Sequence, residues 1–208
     1  MARKVSAAAA EHRPPDSPRS ARLHQQAIVA TQELLTEGGY GAATIDAIAA
    51  RAGMSKVTLY NHWPSRTAVI ANSFGLMMID ALPIPDTGDF TQDLTIYLKS
   101  IVRFYRSDLG TVFAQLLASC VQDPVASAYF NKYFLDERRN TFSAIWRRAV
   151  LRGEADESVD VDDMIDLFFG PLVYRLISGH TELLESSVEG LVRAAVDGLG
   201  KRRDSVSG

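Results

Sequence analysis

Apolar residues recur three and four positions apart through most of the chain, which is the spacing of one buried helix face. In the N-terminal part this pattern predicts helices at about 20–37, 45–52, 56–62 and 64–81. Farther along it predicts helices near 89–107, 110–121, 125–152, 160–179 and 182–200. No stretch alternates apolar and polar positions with β-branched enrichment, so the chain is predicted to be all-α.

Glycine and proline residues mark the predicted breaks between helices. The run Gly38-Gly39-Tyr40-Gly41 is expected to end the first helix, and Pro64 is expected in the first turn of the fourth, where its missing N–H costs nothing. Pro83-Ile84-Pro85 predicts the boundary between two modules. Residues 1–18 are rich in Ala, Pro, Ser and Arg and lack apolar periodicity, which predicts a disordered tail.

Composition and charge narrow the class of protein. Hydrophobic residues make up 47% and charged residues 23%, as in an ordinary globular protein. No apolar run approaches the roughly 20 residues of a membrane-spanning helix, and the single Cys120 excludes an internal disulfide, so we expect a cytoplasmic protein with no membrane partner. The net charge is −3, but residues 1–70 hold eight Lys+Arg against five acids. A basic N-terminal part in an otherwise acidic chain is compatible with DNA bound at the N-terminal end.

The segment from residue 44 to 63 has the pattern of two short helices joined by a tight turn. Thr44 and Ser55 are suited to cap the two helices, and Gly53 allows the turn between them. Leu59 and Trp63, four positions apart, form the predicted buried side of the second helix. This pattern indicates a helix-turn-helix, although similar pairs also arise by chance in all-α proteins.

The second of these helices would expose Lys56, Val57, Thr58, Tyr60, Asn61 and His62. Such a helix fits the major groove of DNA. Lys56 could donate to guanine, Thr58 could offer its hydroxyl, and Val57 could contact a thymine methyl group. The alternatives are that Tyr60 is a core tyrosine, and that Lys56 and Arg66 are merely solvated.

Several short motifs in this region resemble the DNA-binding domain of the tetracycline-repressor (TetR) family over residues 20 to about 70. They are Gly39-Tyr40-Gly41, Gly53-Met54-Ser55, Thr58-Leu59-Tyr60, His62-Trp63 and Arg66. The resemblance implies that Lys56, Val57 and Thr58 read bases. It also implies that the phosphate backbone is held by Thr44, Ser55, Tyr60, His62 and Arg66. Val57 departs from the family, since many relatives have glycine there.

The last two predicted helices carry apolar stripes suited to self-association. The candidate dimer-interface residues are Phe168, Leu172, Leu184, Val188, Leu191, Val192 and Ala195. In the family that the chain resembles, these two helices pair with their copies in a homodimer. The alternative is that both stripes are buried only against the chain's own core. A two-fold dimer predicts a palindromic operator in double-stranded DNA.

The middle helices are rich in aromatic residues, and the resemblance implies a ligand cavity there. The candidate ligand-binding residues are those with a polar tip or a thiol, namely Tyr97, Tyr105, Cys120 and Tyr133. Each could instead be an ordinary core residue. We expect an unidentified small-molecule effector that is mostly apolar or aromatic.

These observations together predict a DNA-binding transcriptional regulator, a repressor released from its operator by the effector. The expected domains are a tail (1–18), a helix-turn-helix DNA-binding domain (19–66), a helical effector-binding and dimerisation domain (67–203) and a flexible end (204–208). The alternative is an all-α enzyme or small-molecule-binding protein whose helix-turn-helix is incidental. No paired carboxylates, metal-ligand cluster or nucleophile–base pair is recognisable, so we predict no catalytic residue, metal or cofactor. The acids of Asp160-Val161-Asp162-Asp163 are interpreted as favouring a helix N-terminus.

Overall fold

The computed structural model describes residues 17–78, 82 and 84–199, and these residues are helical with no strand. The N-terminal helices, called the head below, are α1 (Pro18–Ala42), α2 (Ile45–Arg51), α3 (Lys56–His62) and α4 (Arg66–Met78). They are followed by α5 (Phe90–Tyr105), α6 (Asp108–Gln122), α7 (Pro124–Phe130), a π-helical turn π1 (Asn131–Leu135), α8 (Asp136–Leu151), α9 (Val161–Ser178) and α10 (Glu185–Leu199). The all-α prediction is confirmed. No described helix is both long and apolar enough to cross a membrane.

Several helices begin at a side chain that caps their free N–H groups. Thr44 Oγ1 accepts a hydrogen bond from Ala47 N at 3.1 Å, and Ser55 Oγ accepts one from Thr58 N at 3.0 Å. The same arrangement begins other helices at Ser17, Asp89, Ser107, Asp123 and Asp160. Because a cap bonds within its own first turn, short polar residues in the sequence suffice to specify these starts.

The helices form two compact units that do not follow the order of the chain. One unit contains the described residues up to 78 together with 107–137. The other contains 82, 84–106 and 138–199. Residues 107–137 therefore belong to the same unit as the head, and the functional division into 19–66 and 67–203 stays a prediction.

Four phenylalanine rings form the centre of the first unit. The ring of Phe74 in α4 lies 6.3 Å from that of Phe113 and 5.6 Å from that of Phe134. Phe130 stacks on Phe134 with 5.1 Å between the ring centroids. Burial of these aromatic groups, one from the head and three from residues 107–137, holds the unit together.

A π-helical turn interrupts the single helix predicted over 125–152. At π1 the backbone comes very close to α4, since a Cβ placed on Gly75 would lie 2.4 Å from the carbonyl oxygen of Tyr133. Only glycine fits at this crossing. The interruption is absent from the sequence pattern because its apolar residues keep a helical spacing on both sides.

The second unit packs α5, α8, α9 and α10 around aromatic residues. Tyr97 of α5 and Phe142 of α8 are completely buried, and each ring lies 6.0 Å from Phe169 of α9. An ion pair between Lys99 and Glu189 at 2.5 Å joins α5 to α10 at the surface.

Some predicted helix boundaries are wrong. Helix α4 begins at Arg66 and not at Pro64, because Ser65 Oγ accepts a hydrogen bond from Ala68 N at 3.1 Å and caps the helix. Helix α1 begins at Pro18, two residues before its predicted start at about residue 20. Helix α1 also continues to Ala42, although Gly39 (φ +69°) breaks its regular geometry in the predicted glycine turn. The last helix begins at Glu185 instead of 182. Residues 1–16, 79–81, 83 and 200–208 lie outside the described residues, so the predictions made for them are not tested.

Candidate nucleic-acid interface

Helices α2 and α3 are joined by the predicted glycine turn. Gly53 has a φ of +64°, a conformation that side-chain-bearing residues rarely adopt. Met54 N donates to Ala49 O at 3.0 Å and closes the turn. With Thr44 capping α2 and Ser55 capping α3, the direction of both helices is fixed by local hydrogen bonds. The structure therefore confirms a helix-turn-helix.

The inner side of α3 is buried in the head. Leu59 is 0% exposed and Trp63 is 1% exposed, which confirms their predicted place in the core. Trp63 Nε1 donates a hydrogen bond to Oδ1 of the buried Asn72 in α4 at 3.0 Å. This bond fixes the C-terminal end of α3 on α4, and nothing local in the sequence indicated Asn72 as the partner.

The outer side of α3 carries the residues predicted to face DNA. Val57 is 71% exposed and Tyr60 is 50% exposed, so Tyr60 is not a core tyrosine. Lys56 and Asn61 are exposed as well, whereas Thr58 and His62 are half-buried. The Thr58 hydroxyl lies 2.9 Å from Ser55 Oγ. Contact of these side chains with DNA stays a prediction.

Lys56 is engaged by an acidic residue that the sequence analysis did not single out. Its ammonium group forms an ion pair with the carboxylate of Asp46, in the first turn of α2, and both side chains are largely exposed. The hydrogen bond to Asp46 and its negative charge raise the pKa of Lys56 above the ordinary value of 10.5. The ammonium group thus stays charged at neutral pH.

Arg66 has structural partners of its own. Its Nε donates to Ala43 O at 2.8 Å, and a terminal nitrogen donates to Tyr40 O. The guanidinium carbon also lies 4.4 Å from the centre of the Tyr40 ring. Arg66 therefore ties the segment between α1 and α2 to the start of α4. A phosphate contact by Arg66 stays a prediction and would have to use its other N–H groups.

Two histidines that are far apart in the sequence are neighbours in the head. His24 of α1 stacks on Trp63 with ring centroids 4.3 Å apart, and it lies 5.5 Å from the ring of His62. Residue spacing along the chain gave no sign of this grouping, because it depends on how α1 packs against the end of α3.

The candidate ligand-binding residues are divided between the two units. Tyr97 and Tyr105 are buried in the second unit, and burial raises the pKa of the Tyr105 hydroxyl. Cys120 and Tyr133 lie in the first unit, where burial raises the pKa of the Cys120 thiol to about 11. Tyr105 and Cys120 are therefore uncharged at neutral pH. Binding of an effector by any of the four stays a prediction.

The candidate dimer-interface residues on α9 and α10, and Leu184 just before α10, differ in their exposure. Phe168, Leu172, Val188 and Val192 are buried within the single chain. Leu184 is exposed, and Leu191 and Ala195 are half-buried. The most exposed apolar side chains of α9 are Tyr174 and Ile177, at 64% and 60%. The role of the seven candidates in a dimer stays a prediction.

Comparison with known families gives matches to both parts of the chain. Residues 27–72 match the family described as bacterial regulatory proteins, tetR family. Residues 84–195 match the family described as tetracyclin repressor-like, C-terminal domain. The first match covers α2, α3 and most of α1 and α4, so it includes the whole helix-turn-helix.

Two curated relatives and one solved structure match most of the length of the chain. The chain is 35% identical to the HTH-type transcriptional regulator YdeS of Bacillus subtilis, over 88% of this chain and 92% of YdeS. It is 29% identical to the DNA-binding transcriptional repressor TetR of Mycobacteroides abscessus, over 71% of this chain and 78% of that protein. The crystal structure of the TetR family transcription regulator SCO0332 superposes with a TM-score of 0.76 and 27% identity, covering 85% of this chain and 98% of SCO0332.

Proposed function

Since the chain belongs to the TetR family of DNA-binding transcriptional regulators, which are not enzymes, we propose that it is a repressor released by a ligand. In this proposal a homodimer binds a palindromic operator, and a small, mostly apolar effector lowers its affinity for that operator. The repressor role is supported by the similarity to the Mycobacteroides abscessus repressor.

The observation that carries the proposal is the orientation of α3. Its buried Leu59 and Trp63 hold the helix on the head, while Val57 and Tyr60 face solvent. A short helix that is packed on one side and exposed on the other can enter the major groove without any change in the fold of the head. Rigid support matters because base contacts need side chains held in a fixed register.

Individual roles follow from the chemistry of each exposed group. Lys56, Val57 and Thr58 stand at the N-terminal end of α3, where residues of a recognition helix meet base edges. Tyr60 and Asn61 follow on the exposed side and can donate to phosphates, as can the caps Thr44 and Ser55. Phosphate contacts position the helix, and the three N-terminal residues supply the sequence preference.

Dimerisation through α9 and α10 is supported by the apolar side chains that remain exposed on and next to these helices. Their inner sides are already used by Phe168 and Val188 in the core, so the surface available to a second copy includes Tyr174, Ile177 and Leu184. An isologous pair of such surfaces generates two-fold symmetry. Two heads related by that symmetry would recognise two inverted half-sites.

The effector is proposed to be mostly apolar because its candidate partners are uncharged. The pKa of the Cys120 thiol is raised to about 11 and that of the Tyr105 hydroxyl is also raised, in both cases mainly by burial. Neutral hydroxyl and thiol groups among aromatic rings favour a neutral aromatic ligand over an ion. The ligand is proposed to bind most tightly when the two heads of the dimer are wrongly spaced for the operator. Thermodynamic linkage then requires the ligand to weaken DNA binding, typically about 5–150-fold.

Selection of duplexes from a randomised pool by the purified protein tests the DNA-binding part. We expect the selected sequences to converge on two inverted half-sites about 34–36 Å apart, or a multiple of that distance. Lys56→Ala should relax the preference at one base pair in each half-site. Arg51→Ala is the control, since Arg51 pairs with Glu37 at the other end of α2. Selected sequences without an inverted repeat would refute the proposed dimeric operator.

Release by an effector is tested on the selected duplex. A panel of neutral aromatic compounds and a matched panel of their carboxylate analogues are titrated against the bound complex. We expect release by a member of the neutral panel, and Tyr105→Phe or Cys120→Ala should shift the concentration required. Release by carboxylates alone would refute the inferred chemistry of the effector.

A further inference from the structure

The ion pair between Lys56 and Asp46 places an acidic group beside the surface proposed to face DNA. Asp46 lies in the first turn of α2 and Lys56 is the first residue of α3, so the pair joins the starts of the two helices. The exposed fractions of the two side chains are 72% and 58%. Water and DNA can therefore reach both groups.

The carboxylate of Asp46 is chemically unsuited to most of a DNA surface. Phosphates carry negative charge, and the guanine edge and the thymine oxygen in the major groove offer acceptors to a group that can itself only accept. A suitable partner is the ammonium group of Lys56, with which it forms the ion pair. Lys56 thus has two competing partners when DNA arrives, namely Asp46 and the duplex.

The outcome of this competition depends on the sequence of the duplex. A single exposed phosphate contact is similar in strength to the surface ion pair with Asp46, because both join hydrated ions. A phosphate therefore does not displace Asp46 from Lys56. A guanine offers O6 and N7 together in the major groove, which is a stronger and directional pair of acceptors. Lys56 is therefore released by guanine more readily than by unrelated DNA.

We infer that Asp46 limits the affinity of the head for DNA, because its carboxylate competes with the duplex for Lys56 and has to be displaced before Lys56 can reach a phosphate or a guanine. This inference rests on the proposed DNA-binding role of α3. Asp46 does not itself touch a base in this mechanism. It acts through Lys56, by lowering the affinity for operator and non-operator sequences alike.

The test compares Asp46→Asn with the unaltered protein on two probes, a random-sequence duplex and the duplex selected by the unaltered protein. Freeing Lys56 should add one phosphate contact on random DNA, which makes the slope of log K against log salt steeper by about 0.9. The affinity for random DNA should rise on the order of three- to fivefold near physiological salt. The affinity for the selected duplex should rise at least as much, because there the unaltered protein has to break the pair with Asp46 before Lys56 can bind guanine.

Two further variants separate this mechanism from a general effect of charge. Glu37→Gln removes the same charge from another surface ion pair of the head, the one with Arg51, and should leave the salt slope unchanged. Asp46→Asn in a Lys56→Ala background should give no gain on random DNA, because the cation that Asp46 restrains is gone. An equal gain in that background would overturn the inference by showing that Asp46 merely repels phosphates.

Folding and function are controlled separately. Asp46 also favours the N-terminus of α2 electrostatically, so the urea midpoint of each variant is measured beside its DNA affinity. Asp46→Glu keeps the charge and should keep the low affinity for random DNA. If the unaltered protein selects no sequence, the proposed function fails. If it selects a sequence and Asp46→Asn leaves both affinities unchanged, only the inference about Asp46 fails.

Discussion

Replacement of Arg66 by alanine distinguishes a structural role from a DNA contact. The resemblance to TetR regulators suggested that Arg66 holds a phosphate, whereas its guanidinium group binds the carbonyl oxygens of Tyr40 and Ala43. Arg66→Ala removes both hydrogen bonds and the contact with the Tyr40 ring. We expect this variant to lose stability and to keep the salt dependence of DNA binding.

The magnitude follows from the groups that lose their partner. A hydrogen bond to a charged group contributes about 1.5–3 kcal/mol. Ala43 is completely buried, so water does not readily replace the guanidinium at its carbonyl, whereas Tyr40 is half-buried and part of its loss is recovered by solvent. The cation–π contact adds about 0.5–1 kcal/mol at a partly exposed site. Together these contacts predict a loss of at least about 2–4 kcal/mol in the free energy of unfolding.

The assay is urea unfolding followed by circular dichroism, combined with a salt titration of DNA binding below the unfolding transition. Arg66→Lys is a useful companion, because lysine keeps the charge but lacks the planar group that bridges two carbonyls. It should be nearly as unstable as Arg66→Ala. Lys56→Ala is the reverse control, with an unchanged urea midpoint and an altered preference for DNA.

One combination of results would contradict the structural role of Arg66. If Arg66→Ala keeps the wild-type urea midpoint while the salt slope falls by about 0.9, Arg66 binds a phosphate and its contacts with the carbonyls contribute little. A full return of stability in Arg66→Lys would also contradict the bridging role, since charge alone would then be sufficient.

Three other substitutions have definite expected outcomes. Gly75→Ala should lower the free energy of unfolding by about 1–3 kcal/mol in urea, because the new Cβ would overlap the carbonyl of Tyr133, and an unchanged midpoint would mean that π1 moves aside at no cost. Trp63→Phe should lower the free energy of unfolding by about 1–3 kcal/mol, because the buried Oδ1 of Asn72 loses its donor. The double variant Trp63→Phe, Asn72→Ala should recover part of that loss, and no recovery would mean that the bond contributes little to stability. Ile177→Glu should give a folded monomer by light scattering, and a dimer of unchanged mass would place the interface elsewhere.

The local features of the head could be predicted from its sequence. Thr44 and Ser55 cap their helices through bonds that reach only three residues, and Leu59 and Trp63 follow the periodicity of one helix face. Interactions of this kind depend on neighbours along the chain. A pattern of residue types is therefore sufficient to locate the helix-turn-helix.

The contacts between helices could not be predicted in this way. The pairing of Lys56 with Asp46 and the packing of His24 on Trp63 depend on how α1, α2 and α3 are placed in space. The start of α4 was predicted at Pro64 because proline is common in the first turn, but the cap at Ser65 determined it. In the first two cases the partner lies on another helix. In the third, two neighbouring residues gave equally plausible signals for the start of the helix.

The sharing of one core between the head and residues 107–137 has a consequence for synthesis of the protein. When Met78 has just been added to the nascent chain, the helix-turn-helix is complete as a sequence, but Phe113 and Phe134, which cover Phe74, have not yet been made. At about 5–20 residues per second, translation from there to residue 137 takes roughly 3–12 seconds. During that interval the nascent chain displays an uncovered aromatic surface, which is the kind of site that chaperones bind. A gene fragment ending after α4 would make that state permanent, so the head should be expressed only together with residues 107–137.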